Sequence, residues 1–323
     1  MSALKGQVAV VAGATRGAGR GIARMLGEAG ATVYCTGRGS CGHGSPTGRR
    51  ETIDETAEMV TSAGGRGIAV RVDHTVEGDV AALYERVGQE AKRLDVLVNV
   101  FTGPPASWRS FLDEKPEEGR PFVESWFWPR IMNIWRAAPL MSTKKSGLIV
   151  ELVEQDNVGY HGAFYFDIME TLLKRMIFAL AHDLEPNGIA AVAVAPGFMR
   201  TEAILDGFGV SEENWRDALA NPSATAYGWG GSETPCFVGR AVAALAGDPY
   251  VMRKSGGIYT ARELADQYDF TDLDGRRPDH AVLDEAARKA MESGPLAALK
   301  RNVLHAWQLT RLGAGETTSA AST

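Results

Sequence analysis

The sequence predicts a single α/β domain built on a doubly wound parallel sheet in three layers. Three observations predict it: short apolar segments that resemble buried strands, helical segments that alternate with them, and a glycine-rich turn after the first strand. The chain has 323 residues, of which 45% are hydrophobic, which is enough for one large core. Because strand, glycine-rich turn and helix come in this order, we expect the fold to be Rossmann-like.

The first strand and turn organise the rest of the chain. Residues 8–12 (VAVVA) are typical of a buried central strand, and a helix is predicted over residues 17–29. The glycines between them stand in a G-x-x-x-G-x-G spacing, which lets backbone amides at the helix start approach a pyrophosphate. The alternative is a tight turn that binds nothing. The turn supplies six candidate cofactor residues: Gly13, Thr15, Arg16, Gly17, Ala18 and Gly19.

The end of the second strand, predicted over residues 32–36, indicates which dinucleotide would bind. No acidic residue stands where NAD-binding proteins of this fold hold the ribose diol. Arg16 and Arg38 are placed to meet a 2′-phosphate instead, which favours NADP(H) as the cofactor. Arg49 and Arg50, in the Gly/Ser/Pro-rich loop that follows, are candidates to fold over the same phosphate. The alternative is that Arg16 and Arg38 are two ordinary surface arginines.

Later segments continue the alternation of helix and strand. Strands are predicted over residues 67–72, 94–99, 147–153 and 257–260, and helices over residues 51–63, 78–92, 163–184 and 237–246. Two of these strands end at Asp73 and Asn99. Because the carboxyl ends of parallel strands share one edge of the sheet, we expect both side chains to lie near Gly13.

These segments resemble the short-chain dehydrogenase/reductase family over residues 4–277. The resembling motifs are AGATRGAG (12–19), VD (72–73), LDVLVN (94–99), GLIVELV (147–153) and PGFMRT (196–201). The resemblance implies an oxidoreductase in which Asp73 contacts adenine and Thr201 contacts the nicotinamide carboxamide. The other candidate cofactor residues, beyond the six of the glycine-rich turn, are Arg38, Asp73, His74, Asn99, Pro196, Gly197 and Thr201.

The catalytic set that the resemblance implies is missing. The family has an Asn, a Ser and a Tyr-x-x-x-Lys pair, in which the lysine lowers the pKa of the proton-donating phenol. Counting along the chain puts Trp126 or Ser125 at the Asn position, Val153 or Glu154 at the Ser position, Phe166 at the Tyr position and Glu170 at the Lys position. A slip of one residue would make Tyr165 the phenol, but no shift supplies its lysine.

Three functions remain open. The first is hydride transfer to an iminium-like or conjugated acceptor in a bulky aromatic substrate, since such an acceptor needs no tyrosine acid. The second is non-redox catalysis, a cyclisation, rearrangement or dehydration, with Glu154 or Glu170 as general acid or base. The third is NADPH binding without catalysis.

Acidic and aromatic residues near the missing set favour a cationic substrate, because carboxylates and tryptophan faces both stabilise cations. The acids are Glu154, Asp156, Asp167 and Glu170, and the tryptophans are Trp108, Trp126, Trp128 and Trp135. The alternatives are a solvated helix face for the acids and core packing for the tryptophans. The candidate catalytic residues are therefore Glu154, Glu170, Tyr165, Trp126 and Phe166.

The predicted organisation is one domain over residues 1–280 with two additions near the cleft. An aromatic insertion covers about residues 104–130, and a substrate lid covers about residues 202–233, whose bulky aromatics favour a large, flat substrate. A helical extension is predicted over residues 281–312, with a disordered tail over residues 313–323.

Composition limits the partners. A net charge of −6 without a basic block argues against nucleic acid, and neither the three scattered cysteines nor the six histidines form a metal set. No apolar run is long enough to cross a membrane and no signal peptide precedes the first strand. We expect a cytoplasmic homodimer or homotetramer whose other partner is a small-molecule substrate.

Overall fold

The computed structural model describes residues 3–45, 48–104, 106–107, 109–154, 163–226 and 228–279. Its centre is a seven-stranded sheet in the order β3-β2-β1-β4-β5-β6-β7, in which every neighbouring pair is parallel. The strands are β1 Val8–Ala12, β2 Thr32–Gly37, β3 Arg66–Arg71, β4 Val96–Asn99, β5 Gly147–Leu152, β6 Ile189–Ala195 and β7 Ile258–Thr260. This arrangement confirms the predicted fold class.

Helices cover both faces of the sheet and make the predicted three layers. They are α1 Gly17–Glu28, α2 Ile53–Ser62, α3 Glu77–Glu90, α4 Pro116–Phe122, α5 Trp128–Ser142, α6 Phe164–Leu184, α7 Glu202–Phe208, α8 Pro222–Ala226, α9 Pro235–Gly247 and α10 Ala261–Tyr268. Buried side chains of α1, α2, α9 and α10 form the core on one face, and those of α3, α5 and α6 form the core on the other. The elements predicted from the sequence lie within two residues of these bounds.

The order of the strands positions a crevice. β1 pairs with β2 on one side and with β4 on the other, so the direction of winding reverses between β1 and β4. In doubly wound sheets, ligands bind outside the carboxyl ends of the strands at such a reversal. Gly13 follows β1, and the N–H of Val100, just after β4, donates to the carbonyl of Ala12 at 2.9 Å.

The predicted aromatic insertion is helical in its second half. α4 is joined to α5 by one turn of wider, π-helical backbone over Val123–Phe127, so the two helices continue into each other. Such a turn contains one residue more than an α-helical turn, and it rotates every side chain before it relative to those after it. Trp108 in the insertion, Asp156 in the acidic group, and the predicted extension and tail over residues 281–323 lie outside the described residues.

Candidate functional site

The glycine-rich turn lies at the carboxyl end of β1, against the segment that follows β4. A Cβ on Gly13 would lie 2.8 Å from the backbone nitrogen of Phe101, and the φ of Gly13 is +101°, which other residues rarely adopt. A Cβ on Gly19 would lie 2.1 Å from the carbonyl oxygen of Gly13. The fold itself therefore requires both glycines, because only they let the first turn of α1 come this close to the sheet edge.

The first amide of α1 holds a carboxylate. The N–H of Gly17 donates to Oε2 of Glu202 at 2.8 Å, and Oε1 of Glu202 lies 3.7 Å from Nε of Arg20. A Cβ on Gly17 would lie 3.3 Å from Cγ2 of Thr201, so the start of α7 touches the turn. Amides and helix dipole together attract anions at this position. Glu202 is thus an internal anion at the point where a pyrophosphate is predicted.

Asp73 and Arg38 lie together at the next part of this edge. The carboxylate of Asp73 accepts hydrogen bonds from the backbone N–H and the hydroxyl of Thr75, at 3.0 and 2.7 Å. Burial opposes ionisation, but these bonds and the charge of Arg38 lower the pKa of Asp73 below its usual value. Arg38 is exposed. An ionised acceptor and an exposed cation are therefore both accessible to a ligand here.

Arg16 lies in the glycine-rich turn before α1, and Arg49 approaches from the loop between β2 and α2. The guanidinium of Arg16 lies 3.4 Å from the Ser45 hydroxyl and 3.5 Å from the Glu51 carboxylate. Arg49 donates to the same Glu51 and, from Nη2, to Asp206 of α7 at 2.7 Å. Carboxylates of the chain thus already contact both predicted phosphate-binding arginines.

His74 is buried beneath this edge. Its Nε2 lies 2.8 Å from the hydroxyl of Thr36 in β2, and its ring stacks on Phe101 with the ring centroids 5.2 Å apart. Burial lowers the pKa of His74 to about 4, so the ring is neutral at neutral pH. His74 therefore supports β2 and Phe101, and its role as a candidate cofactor residue stays a prediction.

A buried ion pair lies under the crevice. Arg130 of α5 and Glu151 of β5 are 2% and 0% exposed, and Nε of Arg130 donates to Glu151. Arg130 also donates to the carbonyls of Trp126 and Phe101, at 2.5 and 2.8 Å, and the Asn99 amide donates to Glu151 at 3.3 Å. The network joins β4, β5 and α5 into one rigid support. Sequence reasoning missed the pair, since Arg130 stands in no motif and the strand motif 147–153 gives no sign that its Glu151 is paired.

Two of the predicted catalytic acids meet at the end of β5. Glu170 of α6 is 3% exposed, and its Oε2 accepts the backbone N–H of Glu154 at 2.7 Å, whereas the side chain of Glu154 is exposed. Burial raises the pKa of Glu170 to about 7. At neutral pH this carboxyl is populated in both its charged and its neutral form, which is the condition that acid or base catalysis requires.

Aromatic side chains line the same end of α6. The rings of Phe166 and buried Trp126 are 5.4 Å apart, and a Cβ on Gly103 would lie 2.6 Å from the Trp126 ring. Tyr165 turns away, because its hydroxyl donates to the carbonyl of Lys115 at 3.1 Å and its ring packs against Gly119 of α4. Tyr165 thus fastens the insertion to α6.

The predicted grouping of tryptophans holds only in part. Trp126 is buried near Phe166, but Trp128 and Trp135 of α5 are 54% and 65% exposed. In the predicted lid, Trp215 and Trp229 are buried against each other and Phe208, with 4.7 Å between the rings of Phe208 and Trp229. Since these two tryptophans form the lid's own small core, their faces are not platforms for a substrate.

Glu233 fastens the segment that contains Pro196, Gly197 and Thr201. Its Oε2 accepts the N–H of Gly197 at 3.0 Å, and its backbone carbonyl accepts the N–H of Arg200 at 2.8 Å. The side chain is buried, which raises the pKa of Glu233 to about 8. Sequence reasoning missed this role because the two segments are distant in the chain.

Comparisons with known proteins agree with this geometry. The family model described as short chain dehydrogenase matches residues 7–206. The chain belongs to the short-chain dehydrogenase/reductase family. It is 33% identical over 288 residues to mouse dehydrogenase/reductase SDR family member 1, covering 84% of this chain and 85% of that protein. The human protein of the same name is 31% identical, with the same coverage.

Solved structures show the same fold. A hydroxysteroid dehydrogenase from Escherichia coli has a TM-score of 0.64 and 22% identity, covering 80% of this chain and 96% of its own. YwfH, an NADPH dependent reductase involved in bacilysin biosynthesis, has a TM-score of 0.64 and 20% identity, covering 79% and 96%. Both structures therefore share the fold of this short-chain dehydrogenase/reductase.

The residues at the edge of this short-chain dehydrogenase/reductase fit a nicotinamide cofactor. The first amide of α1 already binds an anion, Asp73 is an ionised acceptor, and the buried Oδ1 of Asn99 has no hydrogen-bond partner among the described atoms. Gly13, Gly17 and Gly19 would hold the diphosphate of the cofactor. Asp73 would contact its adenine and Thr201 its nicotinamide. Thr15 packs on Gly37 and Ala18 is buried, so these two shape the turn.

The described part of the chain has neither a membrane-spanning helix nor a metal site. None of its helices is long and apolar enough to cross a membrane. No group of three or more His, Cys, Asp and Glu side chains in it is arranged to hold a metal ion.

Proposed function

We propose that this protein is an NADPH-dependent reductase of an iminium-like or conjugated acceptor in a bulky aromatic substrate. The observation that carries the proposal is the Glu170 carboxyl, which is buried one helical turn from Phe166, whose ring packs on Trp126, and has its pKa raised to about 7. No tyrosine in the α6 segment is followed by a lysine four residues later, so the Tyr-x-x-x-Lys pair is missing there. A reductase without that pair needs an acceptor that does not depend on a phenol.

The preference for NADPH rests on charge at the end of β2. Arg38 is exposed there and Arg16 lies at the glycine-rich turn, while no carboxylate directly follows β2 to bind a ribose diol. An arginine guanidinium presents a fork of donors that matches a phosphate. Two such side chains favour the phosphorylated dinucleotide over NADH.

Glu170 would serve each acceptor class in a different protonation state. When bound, a reduced nicotinamide supplies a hydride. An iminium carbon that receives hydride becomes a neutral amine and takes up no proton, so an ionised Glu170 is needed only to stabilise the cation beforehand. A conjugated acceptor requires one proton at the carbon next to its carbonyl, and neutral Glu170 would donate it.

The aromatic side chains beside Glu170 support a bulky substrate. Trp126 and Phe166 present tilted rings 5.4 Å apart, and a cation near them would gain from their electron-rich faces. Exposed Glu154 adds a second carboxylate at the same end of β5.

Non-redox catalysis is the second candidate, and the contact between Glu170 and the Glu154 amide favours it. A buried carboxyl with a pKa near 7 is an effective acid or base for a cyclisation, rearrangement or dehydration. In that case NADPH would bind without being consumed, whereas the reductase oxidises one NADPH for each product formed.

The first test is a titration of the purified protein with NADPH and with NADH, followed by tryptophan fluorescence. We expect NADPH to bind more tightly, and Arg38→Ala to weaken its binding by about tenfold. Arg253→Ala, an arginine that stacks on Tyr250 outside the crevice, is the matched control. Binding of neither nucleotide would refute the reductase.

The second test measures NADPH oxidation with a cyclic iminium, an enone and a ketone. We expect turnover of one of the first two and none of the ketone. Iminium reduction should rise as pH increases through about 7, whereas enone reduction should fall, and Glu170→Gln should remove either dependence. If NADPH binds tightly but is oxidised with none of the three compounds, the third function, binding without catalysis, is favoured.

We also propose that the protein is a cytoplasmic homodimer or homotetramer with a small-molecule substrate and no nucleic-acid partner. Scattered free cysteines support the reducing compartment and the net charge of −6 argues against nucleic acid. The exposed apolar side chains Trp128, Trp135, Ile168 and Phe178 stand on α5 and α6, which cover the same face of the sheet. Such a face suits an isologous contact with a second copy.

A further inference from the structure

Helix α7 is held across the start of α1 by its first residue. Oε2 of Glu202 accepts the N–H of Gly17 at 2.8 Å, and Oε1 lies 3.7 Å from Nε of Arg20. Glu202 follows Thr201, whose methyl group lies against Gly17. The carboxylate therefore uses the amide and the positive end of the α1 dipole for itself.

A second acid one turn later holds the same helix on the opposite loop. Oδ2 of Asp206 accepts from Nη2 of Arg49 at 2.7 Å, and Arg49 is shared with Glu51. Asp206 is 62% exposed, whereas Glu51 is nearly buried. Residues 202 and 206 are four apart, so both acids project from one side of α7.

These contacts border a large cleft between α1, α2 and α7. Its volume is about 960 Å³, and its lining includes four arginines, two of them Arg24 and Arg50, together with Glu202, Asp206 and four other carboxylates. The acids of α7 thus lie at a cleft of mixed charge, and Glu202 also reaches the amide at the start of α1.

We infer that Glu202 and Asp206 determine coenzyme affinity and specificity by competing with the coenzyme's phosphates for the same donors. The inference rests on the proposed function, since it assumes that a dinucleotide binds at this turn. Glu202 competes with the pyrophosphate, which NADPH and NADH share. Asp206 withholds Arg49 from the 2′-phosphate, which only NADPH carries.

This assignment predicts gains in affinity rather than losses, with a different pattern for each variant. Glu202→Gln removes a negative charge from the start of α1 and should tighten the binding of NADPH and NADH alike, by about five- to thirty-fold. Asp206→Asn frees Arg49 and should tighten the binding of NADPH by about three- to ten-fold while leaving NADH unchanged. A residue that merely supports the fold would weaken both.

The experiment is a calorimetric titration of wild type, Glu202→Gln, Asp206→Asn and Glu185→Gln with each nucleotide. Glu185 is an exposed glutamate at the far end of α6 and controls for the change of net charge. Thermal unfolding of each variant without nucleotide shows whether it is folded. Exposed Asp206 gives a variant that is expected to fold even if Glu202→Gln does not.

The outcomes distinguish a failure of the competition from a failure of the proposed function. Tighter nucleotide binding by the variants in the stated pattern supports competition. So does nucleotide binding by Glu202→Gln when wild type shows none. If wild type binds NADPH and neither variant binds it more tightly, the competition is refuted while the proposed function stands. If no protein binds either nucleotide, the proposed function fails and this inference fails with it.

Discussion

Replacing Glu170 with glutamine should change how the protein's stability depends on pH. Burial raises the pKa of this carboxyl from 4.5 to about 7, so the folded protein holds its proton more tightly than the unfolded chain does. As pH rises above 4.5, unfolded chains lose the proton first and gain stability relative to the folded state. The folded protein should therefore lose stability until the pH passes about 7.

The magnitude follows from the size of the shift. A displacement of about 2.5 pKa units corresponds to roughly 3 kcal/mol, of which about 2.5 kcal/mol falls between pH 5 and pH 8. Glu170→Gln keeps a carbonyl oxygen that can accept the Glu154 N–H but does not ionise. The free energy of unfolding of the variant should thus decline less than that of wild type over this interval, by about 2 to 3 kcal/mol.

The assay is urea denaturation of both proteins at half-unit steps from about pH 5 to pH 8. Glu233, whose pKa burial raises to about 8, also makes stability fall with pH, but it is present in both proteins and cancels in the difference. Glu185→Gln, a change of an exposed glutamate, is the control and should follow wild type. Parallel curves for wild type and Glu170→Gln would show that Glu170 is not a buried carboxyl of raised pKa, and both catalytic hypotheses would lose their acid.

Three further changes test other parts of the structure. Tyr165→Phe should cost about 1 kcal/mol of unfolding free energy, since it removes the bond to the Lys115 carbonyl, and should leave NADPH turnover intact; loss of turnover would make Tyr165 the proton donor. Arg130→Met should destabilise by about 3 to 5 kcal/mol in urea denaturation because it leaves the Glu151 carboxylate buried alone, and adding Glu151→Leu should recover most of the loss; no recovery would refute the pairing. Trp135→Glu should lower the sedimentation coefficient from that of a dimer to that of a monomer, and an unchanged value would place the subunit contact elsewhere.

The sheet could be predicted from the sequence because its strands are buried on both faces. Such strands read as short apolar runs, and β1, β2 and β5 begin at the predicted residues. The glycine-rich turn was equally readable, since Gly13 and Gly17 adopt the positive φ that such a turn requires. Local pattern and final structure agree wherever a residue's nearest neighbours in sequence decide its conformation.

The candidate catalytic end was harder to read because of the backbone between α4 and α5. Counting backward along α5 left a choice between Trp126 and Ser125, and both lie in the π-helical turn Val123–Phe127. The additional residue of that turn produces an ambiguity of this size. The structure buries Trp126, while the Ser125 hydroxyl donates to the carbonyl of Pro121 at 2.6 Å.

Contacts between distant segments could not be predicted. Glu202 meets Gly17 across 185 residues, and Glu233 meets Gly197 across 36. A carboxylate in a loop gives no local sign that it will hold another segment's amide. The role of the aromatic residues in the lid could not be predicted for a related reason. Their hydrophobicity indicated burial, but not whether a substrate or the lid itself would cover them.

The ion pair of Arg130 and Glu151 also restricts how this chain can diverge. Replacing one residue of the pair leaves the other charge buried and unpaired, with almost no water contact. Removing both charges at once requires two simultaneous substitutions. Selection should therefore retain or discard the two residues together. Relatives that share this catalytic end should carry an arginine and a glutamate at these two positions as a unit, so that the pair serves as a mark of common descent for the subgroup.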